Sequence, residues 1–175
     1  MVAMKAAIDY PGRVTGLVSV ASTPRFVSDD QWLVAVNPEI LTAFYQVLLE
    51  DAEGTLIRFL SLQCKGSDTI KADIRQLKEL VTFHGIPAKK ALRCGLEILQ
   101  QVDLRNELNQ IQCPALYLFG EHDHLVPVGV SAAITKLQPE ADTAIIKGVS
   151  HIPFLSAPDL FVAACSEFFS ARNLG

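Results

Sequence analysis

The sequence has little charge. Only 19% of its 175 residues are Asp, Glu, Lys or Arg, against about 25% in an average globular domain, and half of the residues are apolar. This composition excludes an intrinsically disordered chain. Uncharged stretches such as Val14–Pro24 and Leu125–Thr135 are shorter than the roughly 18 to 20 apolar residues of a membrane-spanning helix. We therefore expect a soluble protein of about one domain, with no membrane partner.

An excess of positive charge is also missing. The net charge is -4, so no overall field attracts nucleic acid, and we expect no nucleic-acid partner. The cysteines form no CxxC pair and no closely spaced framework, which favours reduced thiols and a cytoplasmic location. They are Cys64, Cys94, Cys113 and Cys165.

Short apolar runs that alternate with helical patterns predict an α/β fold. Three runs are typical of strands buried on both faces of a parallel sheet: Val14–Ser22, Ala115–Gly120 and Thr143–Gly148. Helical spacing of apolar residues predicts helices near 128–137 and 159–172. Strand and helix therefore alternate through the second half of the chain.

The stretch between the first two strands is too long for an ordinary crossover, which takes about a dozen residues. It contains helical patterns only, with starts indicated at Asn37-Pro38, Ser67-Asp68 and Ile86-Pro87. We expect an inserted all-helical cap over residues 25–108. Residues 1–24 and 109–175 would then form a partial core.

Two titratable side chains follow predicted strands. Asp123 comes just after the second strand and His151 just after the third. Because the carboxyl ends of parallel strands meet at one edge of a sheet, these side chains can meet there. In serine hydrolases a histidine acts as general base, and a carboxylate fixes its tautomer and stabilises the imidazolium. Asp123 and His151 are therefore candidate catalytic residues.

Three neighbours of Asp123 raise the alternative of a metal site. Glu121, His122 and His124 flank the acid, and His122 and His124 point together on an extended backbone. No further ligand follows at a suitable spacing, and we expect no metal.

The nucleophile that such a pair would serve is missing. The order acid before histidine is that of α/β-hydrolases, in which a serine on a G-x-S-x-G elbow precedes both. No serine of this sequence has glycines at both flanking positions, including Ser19, Ser67, Ser131 and Ser150. The sequence begins instead with a helical segment, a Tyr-Pro-Gly turn and a buried strand, the pieces that follow an elbow. We expect residue 1 to lie just after the missing serine.

Several longer motifs resemble those of a particular family. They are Gly95-Leu96-Glu97-Ile98-Leu99, Val102-Asp103-Leu104-Arg105, Cys113-Pro114, Gly120-x-x-Asp123-x-Leu125-Val126-Pro127, Val20-Ala21-Ser22-Thr23-Pro24-x-Phe26 with Trp32, and Ser150-His151-x-Pro153-Phe154. Together they resemble the biotin-synthesis esterases that cleave pimeloyl-acyl-carrier-protein methyl ester. The similarity extends over essentially the whole chain, which would be the C-terminal part of an α/β-hydrolase with a helical cap.

The resemblance implies a reaction and a set of residues. Asp123 and His151 would be the acid and base of a Ser-His-Asp triad that hydrolyses the methyl ester without metal or organic cofactor. The serine and the oxyanion-hole donors have no counterpart here, so we expect this chain to be inactive alone. An acidic acyl-carrier protein would be the partner. Among the aromatic residues of the cap, which otherwise form its core, Phe26, Trp32 and Phe59 are expected to contact the substrate. The basic residues Arg58, Lys71 and Arg75, otherwise a solvated helix face, are expected to dock the carrier.

Two other functions remain open from the sequence. One is another capped α/β-hydrolase, acting on a short-chain ester, a lactone or a carbon-carbon bond. The other is a non-catalytic product. In either case the first strand would lack covering strands, and we expect the isolated chain to dimerise, swap elements or aggregate.

Overall fold

A parallel three-stranded sheet lies at the centre of the computed structural model, which describes residues 1–85 and 87–174. The strands are β1 (Leu17–Val20), β2 (Ala115–Gly120) and β3 (Asp142–Ile146), in the order β1-β2-β3. Leu17 is paired with Ala115, and Leu116 with Asp142. All six residues of β2 are buried. The central strand is therefore free of charge because both of its faces are covered.

Among the described residues, three helices flank the sheet, and a short fourth helix packs against one of them. They are α1 (Val2–Asp9), α6 (Gly129–Leu137), α7 (Pro153–Ser156) and α8 (Pro158–Ala171). Helices α1 and α6 cover one face, where Met4, Val130 and Ile134 are buried in the same cluster as Tyr117 and Phe119. Helix α8 covers the other face, against a smaller cluster that contains Leu118 and Ile146. The alternation of side chains along β2 sends neighbouring residues to opposite clusters.

In the described part of the chain, four more helices lie between β1 and β2. They are α2 (Pro38–Glu50), α3 (Ala52–Gln63), α4 (Ile70–His84) and α5 (Lys89–Gln101), followed by a short 3-10 turn at Leu108–Gln110. Helix α2 packs against α3 and α5, and α3 packs against α4. Leu41, Leu48 and Leu96 of these helices are buried in the cluster that also contains Tyr117 of the sheet. The helical stretch and the sheet thus share one hydrophobic cluster.

Two predicted strands have different limits in the structure. The first was expected over Val14–Ser22 but ends at Val20, because Ala21 adopts a left-handed backbone with φ 44. The third was expected over Thr143–Gly148 but ends at Ile146, shortly before Gly148 turns the chain with φ 71.

Two predicted helix starts also differ. Asn37 caps α2 through a bond from the Glu39 backbone N to Oδ1, as predicted. The helix expected from Ser67-Asp68 begins only at Ile70, because Ser67 Oγ accepts from the backbone N of Thr69 in a local turn. Helix α5 begins at Lys89, whereas Ile86 of the predicted start lies outside the described residues.

Expectations from the sequence also concerned the cysteines and the helix lengths. All four cysteines are free. Across residues 1–85 and 87–174, the helices are too short or too polar to cross a lipid bilayer.

Candidate active site

The turn after β2 buries the carboxylate of Asp123. Its Oδ1 accepts hydrogen bonds from the backbone N of Leu125 (2.8 Å) and of Val126 (2.9 Å), and its side chain is 0% exposed. Gly120 makes this turn possible, because a Cβ there would collide with the backbone carbonyl of Ser150. The strand end can therefore approach the loop that carries His151 closely.

His151 meets Asp123 at this edge of the sheet. The distance from Nδ1 to Asp123 Oδ2 is 2.8 Å, and the His151 side chain is 21% exposed. Since an ionised carboxylate only accepts hydrogen bonds, Nδ1 carries the proton and donates it. The neutral imidazole then presents an unprotonated Nε2, the atom that a general base uses.

The histidine borders an apolar cavity of about 490 Å³. Its walls come from α1, the segment after β1, the helices α2, α3 and α5, and the turn after β2. The residues that line it include Ala21, Ser22, Phe26, Phe44, Leu48, Phe59, Leu92, Leu96, Leu99, Leu125, Val126 and His151. A cavity of this size and lining has room for an apolar ligand that reaches His151.

The three predicted substrate contacts divide between two places. Phe26 and Phe59 line the cavity, and the Phe59 ring centre lies 5.4 Å from that of Phe44. Trp32 is not among the lining residues. Its Nε1 donates to the backbone carbonyl of Arg25 at 2.9 Å, and the Arg105 guanidinium lies 5.7 Å from its ring centre. The structure places Trp32 in the packing of the segment between β1 and α2, beside Arg105, and not at this cavity.

No hydroxyl or thiol group is positioned as a nucleophile by a hydrogen bond to His151 in the part of the chain that the structure describes. Among residues 1–85 and 87–174, no serine, threonine or cysteine side chain is hydrogen-bonded to the imidazole. Ser22 lines the cavity, where its Oγ accepts from the backbone nitrogen of Met1 at 2.9 Å.

The three predicted docking residues are all exposed. Lys71 and Arg75 of α4 line one groove of about 670 Å³, together with Ile74, Lys78, Glu79 and Phe83. Arg58 lies on α3 and is not among the residues that line this groove. The structure therefore groups Lys71 with Arg75 and leaves Arg58 on a separate helix.

The alternative metal ligands do not converge on a site. His122 Nε2 lies 3.7 Å from Glu121 Oε2, and both side chains are exposed. Within the described ranges, no cluster of three or more His, Cys, Asp or Glu side chains could hold a metal ion.

A buried polar network beside His151 was not predicted from the sequence. Asp73 is 3% exposed and accepts a hydrogen bond from Ser156 Oγ, and Ser150, which directly precedes His151, is 0% exposed. Asp73 occupies the first turn of α4, a position where an acid is ordinary, so only tertiary contacts reveal that it is buried.

Comparisons with known proteins agree with this geometry. A family model described as the alpha/beta hydrolase fold matches residues 1–158. A pimeloyl-acyl-carrier-protein methyl ester esterase of Yersinia enterocolitica is 38% identical over 173 residues, 99% of this chain and 67% of the relative. The esterase of that name from Photobacterium profundum is 41% identical over 168 residues, 96% of this chain and 66% of the relative. The chain thus spans about two thirds of the length of these curated relatives.

Solved structures show the same fold. An esterase from Exiguobacterium antarcticum superimposes with a TM-score of 0.82 at 15% identity, covering 95% of this chain and 63% of the esterase. An enol-lactonase from Burkholderia xenovorans LB400 gives a TM-score of 0.80 at 17% identity, covering 96% and 61%. At these identities the likeness is one of fold.

Proposed function

Since the chain belongs to the α/β hydrolase fold family, and within it to the pimeloyl-acyl-carrier-protein methyl ester esterases, we propose that it carries the acid and base of a carboxylesterase of biotin synthesis. The proposed substrate is the methyl ester of pimeloyl-acyl-carrier protein. The observation that carries the proposal is the bond of 2.8 Å between His151 Nδ1 and the buried carboxylate of Asp123. His151 of this pair borders an apolar cavity.

The proposed reaction runs in two steps. His151 Nε2 takes the proton of a serine hydroxyl as the serine oxygen attacks the ester carbonyl, and then gives that proton to the departing methanol. A water molecule next attacks the acyl-serine carbonyl, with His151 taking its proton; the bond to the serine oxygen then breaks, His151 returns the proton to that oxygen, and the free pimeloyl carboxylate leaves on its carrier. Asp123 stabilises the imidazolium in both steps without taking its proton.

The serine itself has no counterpart in the 175 residues, which lack a G-x-S-x-G motif. We therefore propose that the acid–base pair needs a nucleophile from outside this sequence, and that the chain is inactive on its own. Removing the nucleophile from a serine hydrolase costs about 10⁶-fold in kcat.

Two further features support the proposed substrate, the methyl ester of pimeloyl-acyl-carrier protein. Phe26 and Phe59 give the cavity an aromatic wall for the acyl methylenes. Lys71 and Arg75 present positive charge along one groove of a chain whose net charge is -4. An acidic carrier protein would be attracted to that groove, chiefly through a faster encounter.

An ester-hydrolysis assay tests the proposal. The 175-residue chain is compared with a version that carries a G-x-S-x-G segment ahead of residue 1, on p-nitrophenyl butyrate and on the carrier-bound methyl ester. We expect turnover only in the extended protein, and its loss in His151→Ala but not in the exposed control His124→Ala.

Three results would overturn parts of this proposal. Turnover by the 175-residue chain that disappears in His151→Ala would reveal a nucleophile within the sequence. An extended protein that prefers a lactone would favour another capped hydrolase. A folded extended protein without any hydrolase activity would favour a non-catalytic role.

A further inference from the structure

The loop that carries His151 is attached to the helical cap as well as to the sheet. The backbone N of His151 donates to the carbonyl of Gln63, the last residue of α3, at 3.1 Å. Ser150 Oγ donates to the Lys65 carbonyl at 2.8 Å, and the backbone N of Asp68 donates to the Gly148 carbonyl at 3.0 Å. Three hydrogen bonds thus join residues 148–151 to the turn between α3 and α4.

A buried carboxylate extends this attachment beyond His151. Asp73 Oδ2 accepts from Ser156 Oγ at 2.7 Å, and Ser156 ends α7, the short helix that follows the His151 loop. The same carboxylate accepts from Ser67 Oγ (2.8 Å) and from Thr69 Oγ1 (2.9 Å). Asp73 is only 3% exposed, and its hydrogen-bond donors in the described residues are all hydroxyl groups.

A buried carboxylate is costly unless its oxygens are satisfied, and each hydroxyl that it holds is correspondingly well fixed. Asp73 therefore ties the start of α4, the α3–α4 turn and the end of α7 into one unit. The His151 loop lies between two of these attachments, with Gln63 on one side and Ser156 on the other. Its imidazole has only Asp123 as a hydrogen-bond partner among the described residues, so the direction of Nε2 depends on how the loop is held.

We propose that Asp73 is a positioning residue for His151, and that it acts through Ser156 to hold the histidine loop against the cap turn 63–69. The cap thereby sets the orientation of the base as well as covering the cavity. This inference rests on the proposed function only in taking His151 to be the catalytic base.

Hydrogen exchange in the 175-residue chain tests the positioning without any nucleophile. The variants are Ser156→Ala, which removes one donor, and Asp73→Asn, which removes one of the two acceptor oxygens. Asp159→Asn is the matched control, because Asp159 is an exposed acid in the first turn of α8. Ser166→Ala is the exposed serine control on that helix.

We expect exchange of the His151 amide to quicken at least about tenfold in both test variants, while the amides of β2 keep the wild-type rate. The controls should leave His151 unchanged. Uniform acceleration of all amides would indicate a loss of global stability only, and an unchanged His151 amide would show that Asp73 does not position the loop. Either result overturns the proposal. If Asp73→Asn does not fold, Ser156→Ala decides.

Kinetics of the extended protein separate this inference from the proposed function. In Ser156→Ala we expect kcat on p-nitrophenyl butyrate to fall about tenfold with KM unchanged, since a misdirected base slows chemistry without weakening binding. Equal kcat in the variant and the wild type would overturn the positioning role while leaving the esterase intact. An extended wild type with no activity, but with the exchange pattern described, would overturn the esterase and leave the positioning of His151 standing.

Discussion

At the residue scale, the two oxygens of Asp123 have separate tasks. Oδ1 accepts from the backbone of Leu125 and Val126, which holds the turn, and Oδ2 faces His151. We expect Asp123→Asn to keep the fold, since the amide oxygen can still accept the two backbone bonds. Its NH₂ group would then face Nδ1 and force the proton onto Nε2, and kcat of the extended protein should fall about 10⁴-fold.

The control for Asp123→Asn is His124→Ala, at an exposed position one residue beyond the acid. Rates on p-nitrophenyl butyrate and the temperature of unfolding are measured for both. A rate loss of less than tenfold in a folded Asp123→Asn protein would argue against Asp123 as the acid of the triad.

Phe59 and Trp32 differ in where they lie, and their substitution should separate binding from packing. We expect Phe59→Ala to lower kcat/KM on a long-chain ester more than on an acetate ester, because each apolar methylene that loses contact is worth about 0.8 kcal/mol. Its half-buried ring should cost about 1–3 kcal/mol in free energy of unfolding, less than a fully buried phenylalanine.

Trp32→Phe serves as the contrasting variant. It loses the bond from Nε1 to the Arg25 carbonyl, so we expect a lower free energy of unfolding with the chain-length preference unchanged. If Trp32→Phe changed the chain-length preference as much as Phe59→Ala does, Trp32 would contact the substrate after all.

At the scale of elements, an ion cluster joins the segment that follows β1 to the segment that follows α5. The Arg105 guanidinium donates to Asp29 Oδ2 and to Asp103 Oδ2, each at 2.7 Å, and Arg25 Nη1 donates to Asp103 Oδ2 at 3.3 Å. Hydrogen bonds from Arg105 hold the pKa of Asp29 and of Asp103 below the ordinary value of 3.8.

Acid should therefore weaken this connection. A carboxyl group whose pKa is lower in the folded than in the unfolded state contributes stability that is fully present above the unfolded value and is lost as the pH falls through the folded value. We expect the free energy of unfolding to fall as the pH is lowered below 3.8. In Arg105→Met we expect a smaller loss of free energy of unfolding at low pH. Urea unfolding at a series of pH values measures this free energy in the wild type and in the variant. An identical pH profile in the two proteins would contradict the role of Arg105.

The edge of β1 is a second feature at this scale. In the described part of the chain β1 pairs with β2 only, and alternation along a parallel strand turns the backbone N–H groups of Val18 and Val20 away from β2. An open strand edge invites pairing with another chain. We expect the isolated 175-residue chain to self-associate through it. Val18→Pro should suppress this without removing a bond to β2, because proline removes only the outward N–H.

Sedimentation at rising concentration measures this association. The control is Thr15→Pro, at an exposed position before the strand. A sharply unfolding monomer at high concentration in the wild type would contradict the prediction.

At the scale of the whole molecule, the charge is unevenly distributed. The net charge is -4, yet Lys71 and Arg75 line one groove on α4. In the extended protein we expect Lys71→Glu with Arg75→Glu to lower kcat/KM on the carrier-bound ester about tenfold and to reduce its dependence on salt. The rate on p-nitrophenyl butyrate should not change, because the groove does not border His151.

Two comparisons complete this experiment. Lys136→Glu, an exposed lysine on α6, makes a change of the same kind elsewhere. Arg58→Glu tests whether the separate arginine on α3 belongs to the same surface, in which case it should add to the loss. Equal effects of the double variant on both substrates would make the groove an ordinary solvated face.

Much of this architecture could be predicted because the local signals are strong. The uncharged run Ala115–Gly120 indicates a strand covered on both faces, and the strand has those limits. Asp123 and His151 could be paired from sequence alone because parallel strands deliver their following residues to one edge. The limits of β1 were less predictable. Alanine does not favour a left-handed backbone, so the conformation of Ala21, which ends the strand, is imposed by the surrounding structure and has no signal in the sequence.

The sequence alone determined the α/β alternation, the missing G-x-S-x-G motif and the pairing of Asp123 with His151, because each follows from periodicity or from position along the chain. Tertiary structure alone decided that Trp32 packs beside Arg105 rather than in the cavity, that Arg58 lies apart from Lys71 and Arg75, and that Asp73 is buried beside the His151 loop. The physical reason is that a side chain's role between helices depends on which elements pack against it. Contacts such as Asp73 with Ser156 join residues 83 positions apart, and no local pattern encodes them.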